Sequence, residues 1–439
     1  MPDLRKKSQI AQSSDGKSLR SDSGCCGFAA ESGHRELKPN NNLVHPASDL
    51  RTVLNDILRS GSTETYYFLD EGMLRRQVGI FRENFIPDMT KERRIIYAMK
   101  ANPRKRIMEI LVSEGIDGFD CASINEIDAA LELPGVDPRD VYFNNPIRTP
   151  QSVTEALARE IRYFAVQSRS GVRKVLEGAR KFGGSVPVEL AVRLETQNPE
   201  AAINLSEKFG CSQKTALKLL RMADEEGARL GLSMHVGSQN PDIRAFENGI
   251  SLLTEMAHRA GGVNSLNLGG GLPINYKETD DFDLGMMLRY ISQLIRDRVG
   301  RHTFRKGVAP VIIDESGRPF AGPAVTAAMA ALEVDERGGK KRVFINDGIF
   351  TTFSDTPIHG WRFPLEVFTR DGRKLSSHLS TFTVYGRTCD SGDVIGEYDF
   401  PSDLAEGDYF LMRSAGAYTE AQKSEFNGFG GPVHISYNT

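Results

Sequence analysis

The sequence predicts an α/β protein, a (β/α)8 barrel followed by a β-rich domain. Three observations predict it. Eight short apolar segments alternate with helical patterns between Ile95 and Gly317. Polar, charged or glycine residues crowd the C-terminal ends of those segments, the end at which barrels build their sites. After about Ala331 the helical patterns give way to strand-like runs separated by Gly- and Asp-rich turns.

Residues 1–45 are polar, rich in Ser, Gly, Lys and Asp, and are expected to form a flexible tail. LRTVLNDILR, from Leu50 to Arg59, has the spacing of a short amphipathic helix. The barrel is expected over residues 66–318. Its strand candidates are IIYAMK (Ile95–Lys100), GFDCAS (Gly118–Ser123), VYFNN (Val141–Asn145), YFAVQS (Tyr163–Ser168), VELAVRL (Val188–Leu194), GLSMHVG (Gly231–Gly237), SLNLGGG (Ser265–Gly271) and PVIIDESG (Pro310–Gly317). RKRIMEILVSEG and SQKTALKLLRMADEEG are among the helical stretches between them. A doubly wound sheet is the alternative on pattern alone, because strand order is not written in periodicity. Residues 46–65 and 319–439 are expected to make the β-rich domain. KRVFINDGIFTTF, PLEVFTR, STFTVYG and GDYFLMRSAGAY are its strand candidates, and Tyr66–Leu69 is a candidate to complete it.

The formal net charge of −3 and the shortness of basic clusters such as Lys91–Arg94 exclude a nucleic-acid footprint. The five cysteines are odd in number and lack zinc-type spacing, so neither a disulfide scaffold nor a metal site is expected. The polar start carries no secretory pattern and no apolar run approaches a membrane span, so a cytoplasmic protein is expected.

Several residues at strand ends carry chemistry. Lys100 ends an apolar strand, where desolvation would supply the neutral amine that a Schiff-base lysine needs. A snorkelling lysine fits equally well. Gly269, Gly270 and Gly271 let the backbone approach an anion, or simply make a tight turn. Glu315, in IIDESGRP, could sit beneath a pyridine ring and keep its nitrogen protonated, and Arg318 could pair with phosphate. A strand-end salt bridge is the plainer reading. His235, in SMHVGSQ, could stack on a planar cofactor, with Ser238 a phosphate donor. Cys389 and Asp390, in YGRTCDSGD, offer an acid and an amine-binding carboxylate on a turn-rich loop.

In order, YAMKAN, FDCAS, HVGSQ, GGGLP, ESGR, CDSGD, GAYT and FNGF run from Tyr97 to Phe429. This set resembles the fold-type III pyridoxal-phosphate decarboxylases, the ornithine, diaminopimelate and arginine decarboxylase group. The resemblance implies a barrel of the alanine racemase type, pyridoxal 5'-phosphate as cofactor, and decarboxylation of a small basic amino acid. It implies that Lys100 carries the cofactor, His235 stacks on the ring, and Glu315 pairs with its nitrogen. Ser238, Gly269–Gly271, Gly317, Arg318 and Tyr418 would hold the phosphate, and Asp120, Glu126 and Arg193 would line or support the pocket. Cys389 would protonate Cα and Asp390 would bind the distal amine, both reaching in from the partner of an obligate homodimer, with Phe426 nearby.

Two departures stand out. Ser316 takes the family's proline position in ESGR. After Asn346-Asp347-Gly348, Phe350 stands for a tyrosine, and His359 for the aspartate that contacts the distal amine, unless a gap realigns Asp355. The substrate is therefore ornithine- or lysine-like, with arginine, a shorter diamine acid or a modified amino acid open. Diaminopimelate fits less well because Asp390 stands where its decarboxylases carry glutamate. An amino-acid racemase and a non-catalytic regulator of the antizyme-inhibitor kind are the other readings.

Overall fold

The computed structural model describes residues 43–86, 92–182, 187–196, 201–277 and 279–439. The expected tail falls outside them except for its last residues. Leu43–Val44 forms β1, paired with Ile435 and Ser436. The helix Leu50–Leu58 follows, capped by the Asp49 side chain on Thr52 N. Next comes β2 (Tyr66–Asp70).

Eight parallel strands then close on themselves: β3 (Arg93–Ala98), β4 (Gly118–Cys121), β5 (Val141–Phe143), β6 (Tyr163–Val166), β7 (Glu189–Arg193), β8 (Arg229–Ser233), β9 (Ser265–Asn267) and β10 (Val311–Asp314). Each falls on an expected segment, and closure through the β10–β3 pair decides against a doubly wound sheet. The helix Gln213–Glu225 is typical of the connections. Ser212 caps it on Thr215 N, and Ala216, Leu219, Leu220 and Ala223 form its buried face.

Alternation along the strands sorts the barrel into two layers. Outward residues such as Leu190, Val192 and Ile312 join the large core beneath the helices. Inward residues Ile96, Tyr142, Tyr163, Ala191 and Ile313 form a separate small core. The Tyr142 and Tyr163 rings meet edge to face at 4.7 Å. These side chains plug the barrel. Two residues beyond Tyr142, Ala191 and Ile313 the row turns polar, with Asn144, Arg193 and Glu315, and Asn267 at the end of β9 joins them at the rim. A plugged floor beneath a polar rim is what positions the site.

Asp314, the last residue of β10, is buried, and burial pushes its carboxyl up to about 7. Its Oδ1 accepts Ser316 N at 3.0 Å, a bond that proline at 316 would forbid. Because its folded-state pKa lies above the ordinary 3.8, Asp314 costs stability as pH rises from about 4 through about 7. Asn keeps the acceptor and removes the charge. Asp314→Asn is therefore expected to stabilise the protein by up to about 4 kcal/mol at pH 8 and by almost nothing at pH 4, measured by urea unfolding at both pH values.

The second sheet takes β2 between β17 (Val433–Tyr437) and β11 (Val325–Arg337). It continues through β12 (Lys340–Ile345), β14 (Leu379–Tyr385) and β15 (Val394–Pro401), with β16 (Tyr409–Met412) on β11 and β13 (Glu366–Phe368) on β16. The expected strand Lys341–Phe353 stops at Ile345. Asp347 ends it, because its carboxylate accepts Gly348 N at 2.7 Å and Thr352 N at 2.9 Å and folds the chain into a turn. Among the described residues no helix is long and apolar enough to cross a membrane.

Candidate active site

A cavity of about 460 Å3 opens at the C-terminal mouth of the barrel. Lys100, Asp120, Asn144, Arg193, His235 and Glu315 line it, with Ile147, Leu205 and Phe209 on its wall.

Lys100 follows β3 in the tight turn Met99–Ala101. Its Nζ donates to Asp120 Oδ2 at 2.9 Å, because register pairs Ala98 with Asp120 on β4. The desolvated neutral amine expected from the sequence is not what this geometry holds. Burial lowers the ammonium's pKa, but Asp120, Tyr418 and Glu315 outweigh it and hold Lys100 above its ordinary value. Glu126, one turn along the next helix, accepts Ala122 N at 2.6 Å and fixes the segment after Asp120.

Glu315 is pushed up to about 8, by burial first and the Asp120 carboxylate second, with Lys100 opposing. Asn144 and Asn267 both donate their amides to its Oε1. His235 Nδ1 accepts Gly237 N at 3.0 Å, so that nitrogen carries no proton. Burial, then Arg193 and Lys100, keep the ring well below its ordinary pKa and hence neutral. Arg193 also lies over the Phe209 ring at 4.8 Å.

Beyond the lysine lies a cradle. At Gly269 (φ 68°) a Cβ would fall 2.2 Å from Met234 O, and at Gly271 (φ 111°) 2.1 Å from Gly237 O. Gly270 would meet Glu315 O at 2.8 Å, and Gly317 would meet Ala101 Cβ at 2.7 Å. Arg318 is 4 % exposed, donates to Ser238 Oγ at 3.0 Å and to the Tyr276 hydroxyl, and stacks against Trp361 and Tyr418. Its Nε has no hydrogen-bond partner, and no carboxylate among the described residues forms an ion pair with it. The buried Asp355 carboxylate feels its charge without pairing with it, so the guanidinium keeps a donor free for an anion. Tyr418 is held at φ 62° with its N–H on Ala101 O at 2.8 Å.

The structure does not place Cys389, Asp390, His359, Asp355 or Phe426 on the cavity wall. Cys389 is exposed, its N–H on Asn427 Oδ1 at 2.9 Å. Asp390 Oδ1 accepts Gly392 N at 2.7 Å. Phe426 stacks on Phe350 at 4.5 Å. Asp355 and His359 share one face of the helix Asp355–His359, with His359 Nε2 3.9 Å from Asp355 Oδ1. Asn267, Tyr276 and Trp361 were not singled out from the sequence. Asn267 could have been, since it stands two residues before Gly269 on the inward row.

Residues 71–322 match the family described as pyridoxal-dependent decarboxylase, pyridoxal binding domain. The chain belongs to the pyridoxal-dependent decarboxylases. This decarboxylase is 30 % identical over 340 residues to the lysine/ornithine decarboxylase of Selenomonas ruminantium, covering 76 % of this chain and 81 % of that one. It is 26 % identical over 405 residues to antizyme inhibitor 2 of Xenopus laevis, covering 88 % and 84 %. A solved lysine/ornithine decarboxylase of Vibrio vulnificus, complexed with cadaverine, superposes with a TM-score of 0.75 at 26 % identity, covering 89 % of this chain and 99 % of that one. Pyridoxal 5'-phosphate is the cofactor of this decarboxylase, and the residues present fit it: a glycine turn packed too closely on neighbouring backbone to admit a Cβ, a buried Arg318 with an unpartnered Nε, and a lysine and a carboxylate at the mouth.

Proposed function

We propose that this decarboxylase converts a small basic L-amino acid, ornithine- or lysine-like, to its amine and carbon dioxide, working as a homodimer with shared sites. The observation that carries the reading is the cavity at the barrel mouth, where Lys100, Asp120, His235 and Glu315 converge, and the buried Arg318 nearby in sequence to Glu315, whose Nε has no partner, supports it. The bound cofactor supplies an electron sink for the pair left at Cα when carbon dioxide departs.

The chain's own residues do the rest. Arg318, Ser238, Tyr418, Gly317 and the N–H groups of Gly270 and Gly271 hold the phosphate. Lys100 is the amine that carries the cofactor, and Asp120, bonded to it, orients it. Neutral His235 covers the ring without adding a competing charge. Glu315 balances the charge on the ring nitrogen, and Arg193 lines the wall.

The cavity's two carboxylates, Asp120 and Glu315, are both engaged, so a distal ammonium needs another anion. Asp390 supplies it and Cys389 supplies the proton to Cα, both from the partner subunit's copy of the loop. The exposure of Cys389, of Phe426 at 41 % and of Ile147 at 61 % supports a face that a second copy covers.

A carbon dioxide and amine release screen of the purified protein with pyridoxal phosphate tests the reading, using ornithine, lysine, arginine, diaminobutyrate and diaminopimelate. Turnover is expected on a mono-carboxylate cation. Stereochemical inversion without carbon dioxide would mean a racemase, and no bound-cofactor absorbance would mean a regulator. By alignment His359 stands for the family's second amine-binding aspartate, and His359→Asp is expected to raise ornithine kcat/KM about 10-fold relative to the native substrate. An unchanged substrate profile removes His359 from specificity.

A further inference from the structure

Glu315 is asked to be an anion in a place that resists one. It lies at the buried rim of the barrel, and Asp120 faces it from β4. Lys100 from the end of β3 and Arg193 from β7 face it as cations, and Tyr163 from β6 stands below it. Left to burial alone, such a carboxyl takes up a proton, and a protonated Glu315 cannot balance a charged ring nitrogen.

Two amides oppose this. Asn267 is locked in orientation, because its Oδ1 accepts Gly269 N at 2.9 Å and a backbone N–H can only donate. Its Nδ2 therefore points at Glu315 Oε1, with Tyr163 Oη 3.2 Å away as a second acceptor. Asn144 Nδ2 reaches the same Oε1 from β5's inward row, and its Oδ1 is buried with no partner. Both donors converge on one oxygen. Among the described residues none donates to Oε2, and Glu315 lines the cavity. Donors on a carboxylate favour its charged form.

We propose that Asn144 and Asn267 are positioning residues for Glu315, clamping Oε1 so that the anionic carboxylate is favoured and Oε2 is left for the cofactor's ring nitrogen. Both are neutral, so they stabilise the anion without adding a charge that would compete with the ring. Asn267 also ties the carboxylate to the Gly269–Gly271 cradle, so the two ends of the cofactor are registered through one side chain. The inference rests on the proposed role of Glu315.

The test uses the holoenzyme with Asn144→Leu, Asn267→Leu, the double variant and Glu315→Gln. Each single leucine is expected to move the acid limb of the kcat/KM profile up by about one pH unit, and the pair by more. Cofactor dissociation, followed by absorbance, should speed up about 10-fold per lost donor. In cofactor-free protein, 13C-carboxyl NMR of labelled glutamate should show Glu315 titrating at higher pH in each variant. Asn144 carries the test if Asn267→Leu fails to fold, since its amide has no other bond. A wild-type acid limb and Glu315 titration in Asn144→Leu would overturn the proposal. If Glu315→Gln itself leaves turnover and the cofactor spectrum unchanged, the assigned role of Glu315 falls instead.

Discussion

Lys100→Ala is expected to lower turnover by at least about 10^5-fold and to abolish any borohydride-trapped cofactor adduct. The expectation follows from position. Lys100 is the one amine that lines the cavity beside Glu315, and the second cavity lysine, Lys208, lies over the Phe209 ring instead. Alanine is expected to leave the fold intact at the cost of the Asp120 ion pair, since the Lys100 side chain is 45 % exposed and its turn is held by backbone bonds such as Tyr418 N to Ala101 O. Retained turnover would sink the assignment. The variant also tests the proposal that the site is shared between subunits. Mixed with Cys389→Ala, it should recover about a quarter of wild-type activity, because half of randomly assorted dimers carry one intact site of two. Two inactive parents that stay inactive after mixing would place Cys389 and Lys100 in the same subunit's site.

Arg318→Met is expected to weaken pyridoxal phosphate binding at least about 100-fold while changing the stability of the cofactor-free protein by less than about 1 kcal/mol. The two numbers part because Arg318 is a buried cation that makes no ion pair among the described residues. Phosphate binding needs the charge, whereas the folded cofactor-free protein uses its hydrogen bonds and ring contacts. Methionine fills similar volume and keeps contact with Trp361 and Tyr418, which offsets the lost bonds to Ser238 and Tyr276. Equilibrium dialysis and urea unfolding of the same sample measure both. A large loss of stability with unchanged affinity would make Arg318 a structural strut.

The barrel was legible because short apolar runs that end in polar or glycine residues alternate with helical patterns. β11 was not. VTAAMAALEVDER is rich in alanine and reads as helix by propensity, yet β2, β12 and β16 pair with it and override that preference. In the site, Lys100 and Glu315 announce themselves as charges at the ends of apolar runs. The protonation of Lys100 was misread because Asp120 belongs to a neighbouring strand, and the register that brings it to 2.9 Å is invisible in one sequence. Asn267 was passed over because a neutral amide before a glycine triad carries no obvious chemistry until Glu315 is seen to face it. The ESGR departure finds its reason only in space, where Ser316 N–H serves Asp314.

The plug of Ile96, Tyr142, Tyr163, Ala191 and Ile313 makes the barrel a blind well. Substrate, carbon dioxide and amine must share one doorway, and that doorway is the surface a partner subunit would roof. Subunit breathing would then meter traffic in both directions. Below the plug, sequence can drift at no cost to chemistry. Above it, every exchange of a rim residue alters what may enter.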